Sequence, residues 1–281
     1  MGVSALARAG SRVLVLLVLT TAATASVVGL SQVVPRGRTD ESASGVPVTF
    51  RPIRVPELGV PRARDSSGHH NDGIVIGKPV MGAPGHQGTA YEFDQPGSFI
   101  LVPPDQSLSP GSHDFSYSAW VRLTSRPHGH QTFDIVRKGL SYTGLGEFKL
   151  EVVDGGHVRC TAKDDRGETV HITSAGSGLA NDQWHHIGCA RVGPTWNVVV
   201  DDVVDSKPAT LVTLRNTSPV SIGSKYGRED LPHGRIDEVV IAISAGPASL
   251  PAPTVREGLR RLRTITPAGR WHLDESSAAE R

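Results

Sequence analysis

The chain of 281 residues has only two cysteines and two methionines, and its charges nearly cancel, with 29 basic against 28 acidic residues giving +1. Two cysteines exclude a disulfide-framework miniprotein and a four-cysteine zinc site. So even a balance gives no electrostatic pull toward nucleic acid or anionic lipid. Aromatic residues make up 5%, with four Trp and four Tyr, so any stacking surface must be built from few side chains. Catalytic signatures are also missing: there is no G-x-S-x-G elbow, no H-E-x-x-H and no phosphate-cradling glycine loop. No segment repeats at a fixed period. What remains is a foldable mixture, 38% hydrophobic and 20% charged, whose 31 Gly and 20 Pro suit a fold with many turns.

The first thirty residues differ from the rest. Arg8 and Arg12 precede an uncharged stretch from Val13 to Leu30, dense in Leu and Val up to Leu19. Ala23-Thr24-Ala25 supplies the small residues that a signal peptidase reads, so residues 1–25 are expected to be a signal peptide. The competing reading is an uncleaved anchor, because the stretch approaches the length needed to cross a bilayer. Thr20 to Ser26 is small and weakly apolar, which favours cleavage and leaves no membrane span. Either way the bulk of the chain is exported, secreted or held at the cell envelope. Export makes a bridge between Cys160 and Cys189 the preferred reading, since both share the parity of apolar neighbours in alternating segments. Two buried thiols on neighbouring strands are the alternative.

Residues 26–64 read as a Pro-, Gly- and Arg-rich linker with one edge strand near Val46 to Phe50. From Asp65 onward short alternating segments are separated by turns. Phe115, Tyr117, Ala119, Val121 and Leu123 share one face of a strand. Similar runs occupy 88–93, 98–102, 132–138, 147–153, 157–163, 184–191, 196–204, 219–223 and 235–243. Ten such strands predict an all-β, two-sheet jelly-roll sandwich. Thr254 to Arg263 alone reads as a helix, with Val255, Leu259 and Leu262 on one face and Thr254 as N-cap.

Five motifs in order carry a resemblance. Asp65-Ser66-Ser67-Gly68-His69-His70-Asn71-Asp72-Gly73 is similar to a D-x-S-G-x-x-N-x-G turn, and Gly88-Thr89-Ala90-Tyr91-Glu92-Phe93-Asp94 to a G-x-A-x-x-F-D strand. Phe115 to Val121 resembles F-T-x-S-A-W-V, Gln183-Trp184-His185-His186-Ile187 resembles Q-W-H-H-V, and Gly234 to Val239 resembles G-x-I-D-E-V. Together they resemble the laminin-G-like jelly roll of the concanavalin-A-like lectin/glucanase superfamily. Two departures stand out. A V-D-G hairpin is replaced by Val200-Asp201-Asp202. The family's opening W-x-F-D-E-x-S-G strand is missing ahead of Asp65 and recurs as Trp271-His272-Leu273-Asp274-Glu275-Ser276-Ser277. This reads as a circular permutation in which 269–275 supplies the first strand and the helix carries the chain back, the whole of 65–281 forming one jelly roll. The alternative is a truncated second repeat.

The resemblance brings an enzyme class to be weighed, because glucanases share this architecture. Their E-x-D-x-x-E signature is absent, and between Glu147 and Glu151 stand only Phe148, Lys149 and Leu150. A glycoside hydrolase is therefore the third reading, and the chain is expected not to be an enzyme. The resemblance also implies a structural calcium ion near the junction of first and last strands, with Asp65, Asp237 and Glu275 as ligands. These carboxylates instead capping nearby turns is the competing role. Of the twelve histidines, adjacent ones on a strand face opposite ways and cannot share an ion, while His128 and His130 flank Gly129 in a loop where they could chelate but read as solvated. Trp120, on the face opposite Phe115, and the loop residues Tyr142 and Tyr226 are the candidate ligand contacts, whereas Trp184, Trp196 and Trp271 read as core. The expected role is non-catalytic binding of a polysaccharide or glycan at the cell envelope. A module that binds an envelope protein, without sugar affinity, is the alternative.

Overall fold

Alternation makes residues 113–123 a strand: Phe115, Tyr117, Ala119, Val121 and Leu123 are fully buried, while Ser116, Ser118, Trp120 and Arg122 are half-exposed on the other side. The computed structural model describes residues 60–140, 146–209, 211, 213–247 and 254–276, all within the unit Val55–Arg281. The signal segment, the edge strand expected near Val46 and the loop residue Tyr142 lie outside the described residues.

In chain order the strands are β1 (Arg62–Ala63), β2 (Gly73–Ile76), β3 (Val80–Pro84), β4 (Thr89–Glu92), β5 (Phe99–Val102), β6 (His113–Leu123), β7 (Phe133–Lys138) and β8 (Glu147–Val153). They continue as β9 (His157–Lys163), β10 (Thr169–Thr173), β11 (His185–Val192), β12 (Thr195–Val200), β13 (Val203–Pro208), β14 (Val220–Ile222), β15 (Gly234–Pro247) and, after helix α1 (Val255–Thr264), β16 (Gly269–Trp271). The first sheet runs β1-β2-β5-β14-β7-β8-β9-β10, and the second runs β13-β12-β11-β6-β15-β4-β3, with β16 added to β15. The molecule is a two-sheet, antiparallel jelly-roll sandwich.

The sheets meet through Phe115, Tyr117, Phe148 and Trp196, with Tyr117 and Phe148 ring centroids 4.7 Å apart. Cys160 of β9 and Cys189 of β11 are disulfide-bonded with Cα atoms 5.6 Å apart, so the bridge joins one sheet to the other. The segment expected to be one strand over 196–204 is the hairpin β12–β13. Asp201 makes its turn with φ 54°, a left-handed conformation that Asp adopts more readily than most residues. Strands β1, β2, β3 and β10 were not anticipated: β1 is two residues at the end of the segment read as a linker, β2 is only four residues long, and β3 carries Gly82 and Pro84, which read as turn residues.

At the C-terminal end, Trp271 is fully buried and pairs with Val239 of β15, while Asp65 forms an isolated bridge with Trp271. The Trp271 indole donates to the Asn71 carbonyl at 2.9 Å, and Asn71 Nδ2 donates to the Ala268 carbonyl at 2.9 Å. Residues from the two ends of the described chain thus interlock. Helix α1 starts where Thr254 Oγ1 accepts from the Glu257 N–H, and it lies on the outer face of the second sheet. Gly258 lets it approach closely, because a Cβ there would overlap the Val192 side chain.

Candidate functional site

The three carboxylates expected to gather around calcium each serve the fold separately. Asp65 accepts from the N–H groups of Ser67, Asn71 and Arg270 and from the Ser67 hydroxyl, at 2.7–2.9 Å. Burial pushes its carboxyl up, but these donors outweigh it and hold Asp65 below its ordinary value. Asp237 accepts from the N–H groups of His86, Gln87 and Glu238 at 2.8–3.1 Å, and here burial prevails and raises the carboxyl. Glu275 takes the Arg64 N–H at 2.7 Å and the Tyr91 hydroxyl at 3.1 Å. Calcium needs about six to eight oxygen ligands with free lone pairs. Among the described residues no three His, Cys, Asp or Glu side chains form a metal-holding group, so this donor set does not fit calcium.

Asp237 has a second consequence. By fixing the backbone of His86 it sets the imidazole flat against Trp120, with ring centroids 3.5 Å apart and planes 11° from parallel. His186 sits on Trp120 at 5.4 Å, and Trp184 meets His86 edge-on at 6.2 Å. Trp120 does face outward, but His86 already covers one face of its ring and His186 stands tilted against it. Trp184 is half-exposed at the rim of this cluster, not in the core; Trp196 and Trp271 are fully buried. His86 and His186 escaped sequence reading as one cluster because they are a hundred residues apart in the chain.

The cluster closes one end of a groove of about 410 Å³ between α1 and the second sheet. Its floor combines small side chains, Ser116 and Ser118 of β6, Gly188 and Ala190 of β11 and Ala242 of β15, with Val199 of β12 and Val240 of β15. Gly188 lies opposite Ser118, where a Cβ would come within 2.9 Å of the serine Cβ. Leu259 and Leu262 form the helix wall, and Leu262 packs on Ala190 and Val192. Arg263, Arg270, Asp201 and Asp202 supply the charges. Asp201 is spoken for: it accepts the His186 N–H at 3.0 Å and pairs with His185 Nδ1 at 2.9 Å. Burial and nearby Arg263 lower the His186 pKa, leaving a neutral ring at the groove.

Tyr226, the other aromatic candidate within the described residues, has φ 53° and a hydroxyl engaged twice. It donates to the Pro219 carbonyl at 2.9 Å and accepts the Gly139 N–H at 3.1 Å. Its place is that of a loop pin, and burial pushes its phenol up to about 12.

Glu147 and Glu151 share the outer face of the first sheet, both almost fully buried. Glu151 binds Lys149 at 2.9 Å and Arg159 at 2.7 Å, and Glu147 binds Arg137 at 3.2 Å. Against burial, Arg159 and Lys149 keep the Glu151 carboxyl low. Each carboxylate is matched by a cation, which is a structural ion network rather than an accessible acid–base pair.

With this geometry, residues 94–245, just over half of the chain, match the family model described as concanavalin A-like lectin/glucanases superfamily. The chain belongs to that superfamily. Among solved structures it is similar to the binding domain of Paraclostridial Mosquitocidal Protein 1, at 18% identity over 73% of this chain and 51% of that one, with TM-score 0.53. The mouse laminin alpha1 chain, domains LG4-5, matches at 13% identity over 54% of this chain and 41% of that one, with TM-score 0.43. The chain therefore spans about half the length of the toxin domain it resembles. Membership in the superfamily and likeness at this identity concern the fold, and the site must be argued from its own residues.

Proposed function

We propose that the chain is an exported, non-catalytic binding module that recognises a saccharide in the groove between α1 and the second sheet. The observation that carries this reading is the groove itself: about 410 Å³, lined by Ser116, Ser118 and Trp120. Serine hydroxyls suit the hydrogen-bonding edges of a sugar, and an indole beside them gives its apolar C–H surface something to pack on. The acidic pair that the sequence offers for glycoside hydrolysis, Glu147 and Glu151, is buried against cations. A buried disulfide favours an oxidising compartment, in line with export. The mosquitocidal-protein domain that the fold resembles is likewise a binding domain.

The test is a polysaccharide array on the full chain, repeated with Ser118→Phe, which fills the groove from its floor. Saturable binding lost in the variant, at an unchanged melting temperature, is the expected result. Binding that survives Ser118→Phe places the site elsewhere. A second reading has its own observation: Val203 is 63% exposed on the edge strand β13, where a protein partner could add a strand. Silence on the array moves the function to that edge.

A further inference from the structure

We infer that the groove takes an acidic saccharide, with a sugar carboxylate held by Arg270 and Arg263; this rests on the saccharide reading above. Two observations carry it. Arg270 lines the groove, and its Nε is buried with no hydrogen-bond partner. A buried donor left unmade is a standing penalty that an incoming anion removes. Arg263 lines the same groove from the exposed side of α1 and has no ion pair or hydrogen bond among the described residues.

The surrounding charges point the same way. Between Val255 and Trp271 stand Arg256, Arg260, Arg261, Arg263 and Arg270 against one acid, Glu257, which is taken by Arg261. Facing them across the groove are Asp201, whose carboxylate accepts hydrogen bonds from His185 and the His186 backbone, and Asp202. Two guanidinium groups with planar, forked donors match a carboxylate better than a neutral hydroxyl. The serine floor and the Trp120 indole then receive the rest of the ring. Arg256 and Arg260 are exposed on the helix but do not line the groove, which separates local recognition from general attraction to a basic helix.

The experiment is calorimetric titration of the full chain, at about 0.15 M salt where long-range attraction is screened. The probes are oligogalacturonate, alginate and hyaluronate oligosaccharides, each paired with its carboxyl-reduced counterpart, and hexaglutamate. At least one acidic probe is expected to bind, with its reduced counterpart weaker by roughly tenfold or more. Arg263→Gln and Arg270→Gln are each expected to cause a similar loss, and Arg256→Gln none. Arg270 lies on a paired strand, so Arg263→Gln, at an exposed helix position, keeps the test decisive if Arg270→Gln does not fold. Equal binding of acidic and reduced sugars overturns the carboxylate while leaving the saccharide reading intact. No saccharide binding of either kind overturns both. A loss in Arg256→Gln as large as in Arg263→Gln, or tighter binding of hexaglutamate than of any sugar, also overturns the proposal.

Discussion

At the scale of single residues, Asp65 shows how one carboxylate holds a tertiary junction. Its four hydrogen bonds tie its own turn to Arg270, so the negative charge is part of the native contact. Its pKa is lowered on folding, so the stabilisation is complete above the unfolded value near 3.8 and is lost as pH falls through the folded one. Asp65→Asn is expected to destabilise the protein by roughly 1–3 kcal/mol at neutral pH through weakened hydrogen bonds, and by less in acid. Urea unfolding at neutral pH and at acid pH measures both. A gap that does not narrow in acid would show that the charge is irrelevant. The turn role of Asp65 was legible in the sequence, since Asp two residues ahead of Ser67 is a familiar turn opening. The covering of Trp120 was not legible, because period-two alternation reports which face a side chain takes and says nothing of what a distant loop lays over it.

At the scale of elements, strands with strict alternation declared themselves and short or interrupted ones did not. β6, β8 and β9 have clear apolar parity, whereas β3 hides behind Gly82 and Pro84. The helix was legible from its i, i+4, i+7 apolar positions and its Thr254 cap. The groove beside it was not, for it depends on Ser116, Ser118 and Gly188 from two strands being small at adjacent positions. The C-terminal strand was legible only through its resemblance to an opening strand, and its weight in the fold follows from burial. Trp271 is fully enclosed and hydrogen-bonded to Asn71, so Trp271→Ala is expected to cost roughly 3–5 kcal/mol. Thermal unfolding that leaves the melting temperature unchanged would mean this strand is peripheral.

At the scale of the whole molecule, two eight-stranded sheets enclose one continuous core, and the covalent tie between them is Cys160–Cys189. Reading the cysteines by parity gave the correct pairing because each lay on the inward face of its strand. Closing a loop of this length stabilises by roughly 3–4 kcal/mol in the chain-entropy model. The Cys160→Ala/Cys189→Ala variant is expected to melt lower than the oxidised protein, and a reductant should change the wild type but not the variant. Identical melting in all cases would remove the bridge from the stability of the fold.

The same bridge has a mechanical meaning. Its two ends are 29 residues apart in sequence, so if the protein is pulled from both ends, roughly 100 Å of extended chain stays locked inside the loop. The chain yields less length under load than its residue count implies, and β10, with the parts of β9 and β11 between Cys160 and Cys189, is shielded from the pulling force even after the rest has unravelled.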